Sequence, residues 1–586
     1  MCGIAGIMTV AAPPSEAVLD AMEMALAHRG PDGRGRYRSG NFGMVHTRLA
    51  IIDLATGDQP IRESQGAALV ANAEIYNYIE LKAELGGVAF VTASDCEPPL
   101  HLYRAHGTGF AEKLRGMYAI AIHDPANSRL VLARDPFGIK PLYYAETPNC
   151  FAFASEPQAL IAAGIVAPRI NPHGRLELLQ LQFTTGDATI FDGIRRVAPG
   201  ETLVVSGGRV IERRRRSALP RSGPREEDAE AALARIDAAL EDSVRIHQRS
   251  DVPYGMFLSG GIDSTALLVM MARLNDRPVR AFTAGFPGTR VADERAHARV
   301  IAEKLGAEHI EVEFSEDDFW TLLPSIAAAM DDPAADYAVL PTYKLAGVAA
   351  KELKVVLCGE GGDEMFAGYG RYRSVLRPWW LGGRALRPRG LLEGTGVLRA
   401  ESPGWRDGIA AAEINAALPN RTKLQVAQAT DCADWLPNDL LTKLDRCLMA
   451  HGVEGRTPFL DPVVADAAFR LPDFLKIHKR MGKWLLREWL SRKLPEAQPF
   501  SRKRGFTVPV GHWIAQRGKA LGELVADEPG IAQVCRPEAV RNLFAAGGDR
   551  GGLACWVLLF YALWHRRHIL ALDPAGDVLE TLAQRG

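Results

Sequence analysis

The period of the apolar positions changes partway along the chain. Over residues 1–205 apolar residues come in short runs separated by turn residues, as in Gly43-Met44-Val45-His46, Ala67-Ala68-Leu69-Val70-Ala71, Tyr118-Ala119-Ile120-Ala121-Ile122, Arg129-Leu130-Val131-Leu132-Ala133 and Phe151-Ala152-Phe153-Ala154. Runs of that length between turns predict β-strands. Helical spacing interrupts them over 15–27 and 99–106. Many strands with a few helices predict a layered α+β sandwich.

Residues 206–228 read differently: Gly207-Gly208, then Arg213-Arg214-Arg215-Arg216, then Pro220, Gly223 and Pro224. This composition predicts a solvated linker. The division expected is a domain over 2–210, a linker over 211–228 and a second domain over 229–586. From 229 helix and strand alternate. Helices are predicted over 229–242, 264–274, 293–305 and 316–330, and strands over 252–258, 279–286, 309–314 and 354–357. Alternation of this kind predicts βαβ units in an α/β doubly wound parallel sheet. Beyond about 405 the pattern is mostly helical, and no internal repeat stands out.

Composition narrows the class of protein. Of 586 residues, 47% are hydrophobic and 24% charged, an ordinary globular balance. Lysine plus arginine is 69 against 70 for aspartate plus glutamate, a net charge of −1. That balance argues against a general nucleic-acid binder. No apolar run reaches the length needed to span a bilayer, and the start Met1-Cys2-Gly3-Ile4-Ala5-Gly6-Ile7 lacks the basic region of a signal peptide. The eight cysteines show no zinc spacing and no dense disulfide framework. A cytoplasmic protein with reduced thiols is expected.

Between the strand predicted to end at Leu258 and the next helix lies Ser259-Gly260-Gly261-Ile262-Asp263-Ser264. A glycine turn from strand to helix offers free backbone N–H groups and the positive helix end to an anion. Ser259 and Ser264 add hydroxyl donors. Asp263 suits such a site only when a cation such as Mg²⁺ lies between it and phosphate. Alone, this turn is equally ordinary loop chemistry. A second loop, Cys358-Gly359-Glu360-Gly361-Gly362-Asp363-Glu364, crowds three carboxylates at another strand end, which calls for a metal or a basic partner. A basic stretch, Ser501-Arg502-Lys503-Arg504-Gly505-Phe506, is suited to polyphosphate.

With these loops on view, the 259–264 turn resembles the pyrophosphate loop of N-type ATP pyrophosphatases. Together with Gly359-Glu360-Gly361-Gly362-Asp363-Glu364, Gly452-Val453-Glu454-Gly455-Arg456-Thr457-Pro458-Phe459-Leu460-Asp461 and Lys503-Arg504-Gly505-Phe506, it is similar to the synthetase domain of glutamine-hydrolysing asparagine synthetases. The first domain carries its own series. Met1-Cys2-Gly3-Ile4-Ala5-Gly6, His28-Arg29-Gly30-Pro31-Asp32-Gly33, Arg48-Leu49-Ala50-Ile51-Ile52-Asp53, Asn72-Ala73-Glu74-Ile75-Tyr76-Asn77, Ser94-Asp95-Cys96-Glu97 and Arg134-Asp135-Pro136-Phe137-Gly138-Ile139-Lys140-Pro141-Leu142 occur in order. This series resembles the N-terminal-nucleophile (Ntn) glutaminase domain of class II amidotransferases over nearly its whole length.

The resemblance implies two active sites. In the first, removal of Met1 frees Cys2, whose α-amino group activates its thiol for attack on the glutamine amide. Arg48, with Leu49, Ala50, Ile51 and Ile52 after it, would hold the glutamine α-carboxylate, and Glu74 and Asp95 the α-ammonium side. Asn72 and the Ala73 N–H would receive the oxyanion. In the second, Leu258, Ser259, Gly260, Gly261, Asp263, Ser264, Ala284, Cys358 and Gly359 would hold ATP, and Asp263 and Asp363 would hold Mg²⁺. Lys503 would neutralise the departing pyrophosphate, and Glu360 would deprotonate ammonia. The activity implied is conversion of aspartate to asparagine through β-aspartyl-AMP, with an internal ammonia path and a homodimer as in the family.

One departure stands out. The family has Asn-Gly-Glu where this chain has Asn72-Ala73-Glu74, so altered glutaminase is expected if that glycine uses positive φ. A second, at Pro98-Pro99, suits a helix start. The acceptor is not read from these motifs. The segment 331–342 should border its pocket, and another carboxylate (a sugar acid, a peptide or a natural-product precursor) remains open. So does a non-catalytic nucleotide-binding scaffold.

Overall fold

The computed structural model describes residues 2–289, 293–400, 403–501, 508–547 and 549–584. In the N-terminal domain the short apolar runs become two stacked six-stranded sheets. One runs Arg195–Arg196, Tyr143–Glu146, Cys150–Ala154, Gly3–Thr9, Phe42–Arg48, Gly33–Ser39; the other runs Arg209–Arg215, Glu201–Ser206, Arg129–Arg134, Gly116–Asp124, Ala68–Ile75, Ile61–Arg62. The pairings are antiparallel. Side-chain alternation divides each strand between two cores. Ile4, Met8, Val70 and Ala121 meet between the sheets. Ala5 and Ile7 face outward onto Leu19 and Met22 of the helix Glu16–Ala25, while Leu69 and Ala71 face Leu81, Leu100 and Leu102 on the other side. Both faces of each sheet are therefore covered, which is why Phe42–Arg48 and Ala68–Ile75 are buried along their whole length. The helix Pro98–His106 starts on its two prolines, as their missing N–H groups allow.

The linker begins later than its composition suggests. Arg209–Arg215 is a strand paired with Glu201–Ser206, and Arg213 donates to Glu201 (2.9 Å) and to the Tyr144 hydroxyl (2.8 Å). Most of the arginine run is therefore the exposed edge of a sheet. A partner strand and two acceptors outweigh the loop signal of the charges.

The C-terminal domain carries a five-stranded parallel sheet ordered Glu308–Glu313, Arg280–Gly285, Tyr254–Phe257, Val355–Leu357, Glu454–Arg456. Beyond 405 the chain is mostly helical, as the pattern predicts, and among the described residues the last strand is the exception. It is three residues long, with charged residues at both ends, and so leaves no apolar run. The strand order reverses between Tyr254–Phe257 and Val355–Leu357. In an open α/β sheet the ligand crevice lies beyond such a reversal. The loops leaving these two neighbours are the two glycine-rich loops of the sequence. The 20-residue helix Asp549–His568 packs over Glu316–Ala329, with Trp564 donating to the Met330 carbonyl at 2.8 Å. Among the described residues no helix is long and apolar enough to cross a membrane.

Buried ion pairs join the domains. Arg29 grips Asp445 through both terminal nitrogens at 2.8 and 2.9 Å, Arg196 holds Asp332 at 2.8 Å twice, and Arg115 holds Asp461 at 2.8 Å twice. Breaking one such pair leaves an uncompensated buried charge, at a cost of about 3–5 kcal/mol.

Candidate active sites

The first site forms where Gly3–Thr9 begins. Cys2 is buried; its backbone N–H donates to Asn72 Oδ1 at 3.0 Å and its thiol faces the Leu49 carbonyl at 3.9 Å. Burial pushes the Cys2 thiol above its ordinary range. Asn72 is itself fully buried, and its Nδ2 has no hydrogen-bond partner. An unmet buried donor beside the thiol is what an oxyanion receptor requires.

Backbone alternation supplies the second donor. Ala73 lies opposite Tyr118 in the ladder, and both backbone groups of Tyr118 turn the other way: its N–H goes to Asp135 Oδ2 and its carbonyl accepts from the Asp135 N–H. The N–H groups of Ala71 and Ile75 leave the same strand for Gln59 and Asp95, at 2.6 and 2.7 Å. With period two, the Ala73 N–H points off that open edge with them. Ala73 does not have positive φ. The conformational reason to expect a crowded site is therefore absent.

Arg48 is buried under the loop that follows it. It donates to the Asp53 carbonyl and pairs at 2.9 Å with Asp58, a carboxylate 81% exposed. An exposed carboxylate on a buried guanidinium is a group that a ligand carboxylate can displace. Leu49 and Ile51 are buried and fix that loop; the Ala50 N–H donates to Asp32 at 2.8 Å, and Ile52 is half-buried. Asp95 is buried, and burial raises its carboxyl to about 6. Burial pushes Glu74 well above the carboxylate range, opposed by Arg456 at 2.7 Å. Sequence reasoning placed Arg456 in a synthetase motif and missed that it reaches into the other domain. Within its own domain it also holds Glu454 (2.7 Å) and the carbonyls of His247 and Arg249.

The second site lies at the sheet reversal. Tyr254–Phe257 leads through Leu258, Ser259, Gly260 and Gly261 into the helix Ile262–Leu274. Gly260 has φ +67°, which its lack of a side chain permits, and Gly261 caps the helix. The Ser259 N–H donates to Ser264 Oγ at 3.2 Å and the two hydroxyls lie 3.1 Å apart, closing the loop on itself. The second loop fits directly against it: a Cβ on Gly359 would stand 3.2 Å from that of Asp263, and one on Gly362 only 2.4 Å from the Asp263 carboxyl carbon.

The crowded carboxylates have the basic partner they call for. Lys483 Nζ binds Asp263 and lies 2.7 Å from Asp363. Glu364 is buried, accepts from the Tyr369 hydroxyl at 2.8 Å, and is raised by burial to about 7. Two carboxylates converging on one cation, with phosphate oxygens to complete the set, fit Mg²⁺. Among the described residues there is no cluster of three or more ligating side chains, so a metal here would need the nucleotide's oxygens as well. Lys483 gave no signal in the sequence. Lys503 lies outside the described residues.

A cavity of about 470 Å³ opens over these loops. Leu258, Ser259, Gly261, Asp263, Ser264, Ala284, Cys358, Gly359, Glu360 and Asp363 line one side. Asp336, Tyr337, Ala338 and Thr342, from the 331–342 segment, line it too. A second cavity of about 400 Å³ continues past Gly260 to Lys483, Arg487 and Ser501, a basic end suited to polyphosphate. Nothing in the sequence pointed to Arg387, Trp435, Asp439 and Lys443, which also line this cavity.

Residues 1–215 match the glutamine amidotransferase domain family and residues 235–566 the asparagine synthase family. Asparagine synthetase [glutamine-hydrolyzing] 1 of Bacillus subtilis is 32% identical, covering 97% of each chain. Asparagine synthetase B of Escherichia coli is 28% identical over 90% of this chain and 86% of its own. A protein of Gibberella zeae named amidase chry2 is 32% identical over 64% of this chain and 60% of its own. With both halves matched and the first relative aligned along nearly its full length, this chain belongs to the glutamine-hydrolysing asparagine synthetase family, ligases with glutamine as amido donor.

Proposed function

We propose that the chain amidates aspartate to asparagine, with glutamine as nitrogen donor and ATP cleaved to AMP and pyrophosphate. The observation that carries this reading is the pairing of a buried Cys2–Asn72 site with a double glycine-rich loop at the reversal of a parallel sheet.

At the first site, removal of Met1 leaves Cys2 with an amine that takes the thiol proton. The thiolate adds to the glutamine side-chain amide, and Asn72 Nδ2 and the Ala73 N–H receive the oxyanion. Ammonia leaves, and water releases glutamate from the thioester. Arg48 holds the α-carboxylate; Asp95 and Glu74 lie on the ammonium side.

At the second site, the 259–264 loop and its helix end hold ATP phosphates. Leu258, Ala284, Cys358 and Gly359 line the AMP side. Asp263 and Asp363 would hold Mg²⁺, which when bound offsets phosphate charge. The aspartate β-carboxylate attacks the α-phosphorus and pyrophosphate departs toward Lys483 and Arg487; Lys503, by the family resemblance, would neutralise its charge. Ammonia then attacks the acyl-adenylate carbonyl, Glu360 takes its proton, and AMP leaves. Ammonia free in water near neutral pH is mostly ammonium, so transfer inside the protein is part of this reading. A homodimer is carried over from the family.

The test is pyrophosphate release by the chain with Met1 removed, with glutamine or ammonium, with and without aspartate. Release that needs aspartate and yields asparagine and AMP together supports the proposal. Release that needs a different carboxylic acid supports the second reading, an amidotransferase for another acceptor. The relative named as an amidase favours testing it.

A further inference from the structure

The lining of the large cavity also holds two charged groups that the reactions above leave unused. Arg387 stacks on Trp435, its guanidinium carbon 4.6 Å from the ring centre, and lies 5.1 Å from the centre of the Phe183 ring. Its Nε is buried without a hydrogen-bond partner, and among the described residues no carboxylate forms an ion pair with it. A neighbour shows the contrast. Arg371 covers the same indole at 3.8 Å but is paired with Asp431 at 2.8 and 2.9 Å. Arg387 also has φ +45°, a conformation that costs energy for a residue with a side chain and gathers at ligand-binding positions.

Asp439 is the complement. It is buried, and its Oδ2 accepts from Trp435 Nε1 at 2.5 Å while its Oδ1 has no hydrogen-bond partner. Trp435 thus holds a cation on its face and an anion at its N–H. The other cation of this lining, Lys443, is already held by Asp336 at 3.2 Å. A buried charge left unmet is costly, and a ligand bearing both opposite charges on one carbon would meet both.

We infer that Arg387 and Asp439, set by Trp435, receive the α-carboxylate and α-ammonium of an amino-acid acceptor, leaving its side-chain carboxylate directed to the nucleotide. The inference rests on the proposed amidation of aspartate and names the specificity residues of that site. It makes the acceptor a free α-amino acid.

The test uses the full chain with ATP, Mg²⁺ and ammonium, so that the glutaminase site plays no part. Pyrophosphate release is compared for aspartate, for β-alanine, which lacks the α-carboxylate, and for succinate, which lacks the α-ammonium. In R387A, kcat/KM for aspartate should fall about 100-fold or more while that for β-alanine stays within about threefold. R387K should recover part of the loss. In D439N the loss should fall on aspartate and spare succinate. Equal losses on all three acceptors, or an unchanged aspartate KM in R387A, would overturn the receptor. If the wild type does not use aspartate, the same assay is run across the other free α-amino acids. Activation of one of them through Arg387 and Asp439 keeps the receptor and ends the aspartate reading. Activation of no α-amino acid ends both.

Discussion

The guanidinium of Arg456, carried on the edge strand of the parallel sheet, lies 2.7 Å from the carboxylate of Glu74 in the amidotransferase domain. Both groups are buried, and Arg456 also holds Glu454 at 2.7 Å. One side chain of the synthetase half therefore neutralises a carboxylate near Cys2, the proposed nucleophile. Replacing it with a neutral residue removes one cation from two buried carboxylates, and Glu454 keeps Lys140 at 4.0 Å. R456M should lose about 3–5 kcal/mol of stability in urea melts. E74Q/R456M should recover part of that loss, yet glutamate release from glutamine should stay at least about tenfold down, because the ammonium side of the site has lost its charge. Full recovery of glutaminase in the double variant would show that Glu74 serves the interface alone.

Ala73 gives a prediction opposite to the one its sequence invites. Its backbone is ordinary strand, and its N–H leaves the sheet edge in the direction of the oxyanion site. Nothing in that geometry needs glycine. A73G should change glutaminase kcat by less than about threefold and lower stability by about 0.5–1 kcal/mol, the cost of glycine within a regular element. Steady-state glutamate release and urea melts check both. A tenfold gain in kcat would mean that the methyl group does obstruct the site.

Lys483 binds Asp263 and Asp363 at once. Both carboxylates belong to the nucleotide loops, so their mutual repulsion is held in check from a third segment. K483M should cut aspartate-dependent pyrophosphate release by about 100-fold or more, the scale of losing one charge stabiliser of the transition state. D363N should raise the Mg²⁺ concentration needed for half-maximal rate. Glutaminase activity should survive in both. Its loss in K483M would place the defect in folding of the synthetase half.

These residues show what the sequence could and could not reveal. Cys2, Asp263 and Asp363 sit in compact motifs next to strand ends, and Asn72 in one within a strand, where local pattern and chemistry coincide. Many strands of the three sheets were legible because burial on both faces gives short, largely apolar runs. The Glu454–Arg456 strand escaped because its charges satisfy each other inside the protein. Arg209–Arg215 escaped because its charges face solvent along an edge. Lys483, Arg387 and Asp439 belong to no motif that stands out in the sequence, and only the fold brings them to the cavities of the second site.

Asp439 would tie the proposed acceptor site to pH. Burial, followed by the nearby Asp336, raises its carboxyl from an ordinary 3.8 to about 7, while Lys443 and Arg387 pull the other way. Below about pH 7 in the free enzyme the group is neutral, and above it is the anion that an ammonium requires. With ammonium-independent conditions kept by saturating glutamine, kcat/KM for aspartate should rise with pH from 6 to 8 and then level, since that profile reports the free enzyme. Succinate has no ammonium and should lack this step; D439N should flatten it for aspartate. Stability should move the opposite way. The folded state holds its proton up to about pH 7 and the unfolded state only to about 4, so folding loses stability as pH rises between them. D439N removes that loss and should melt higher relative to wild type at pH 8 than at pH 4. Coincident aspartate and succinate profiles would take Asp439 out of ammonium recognition, whatever the melting curves show.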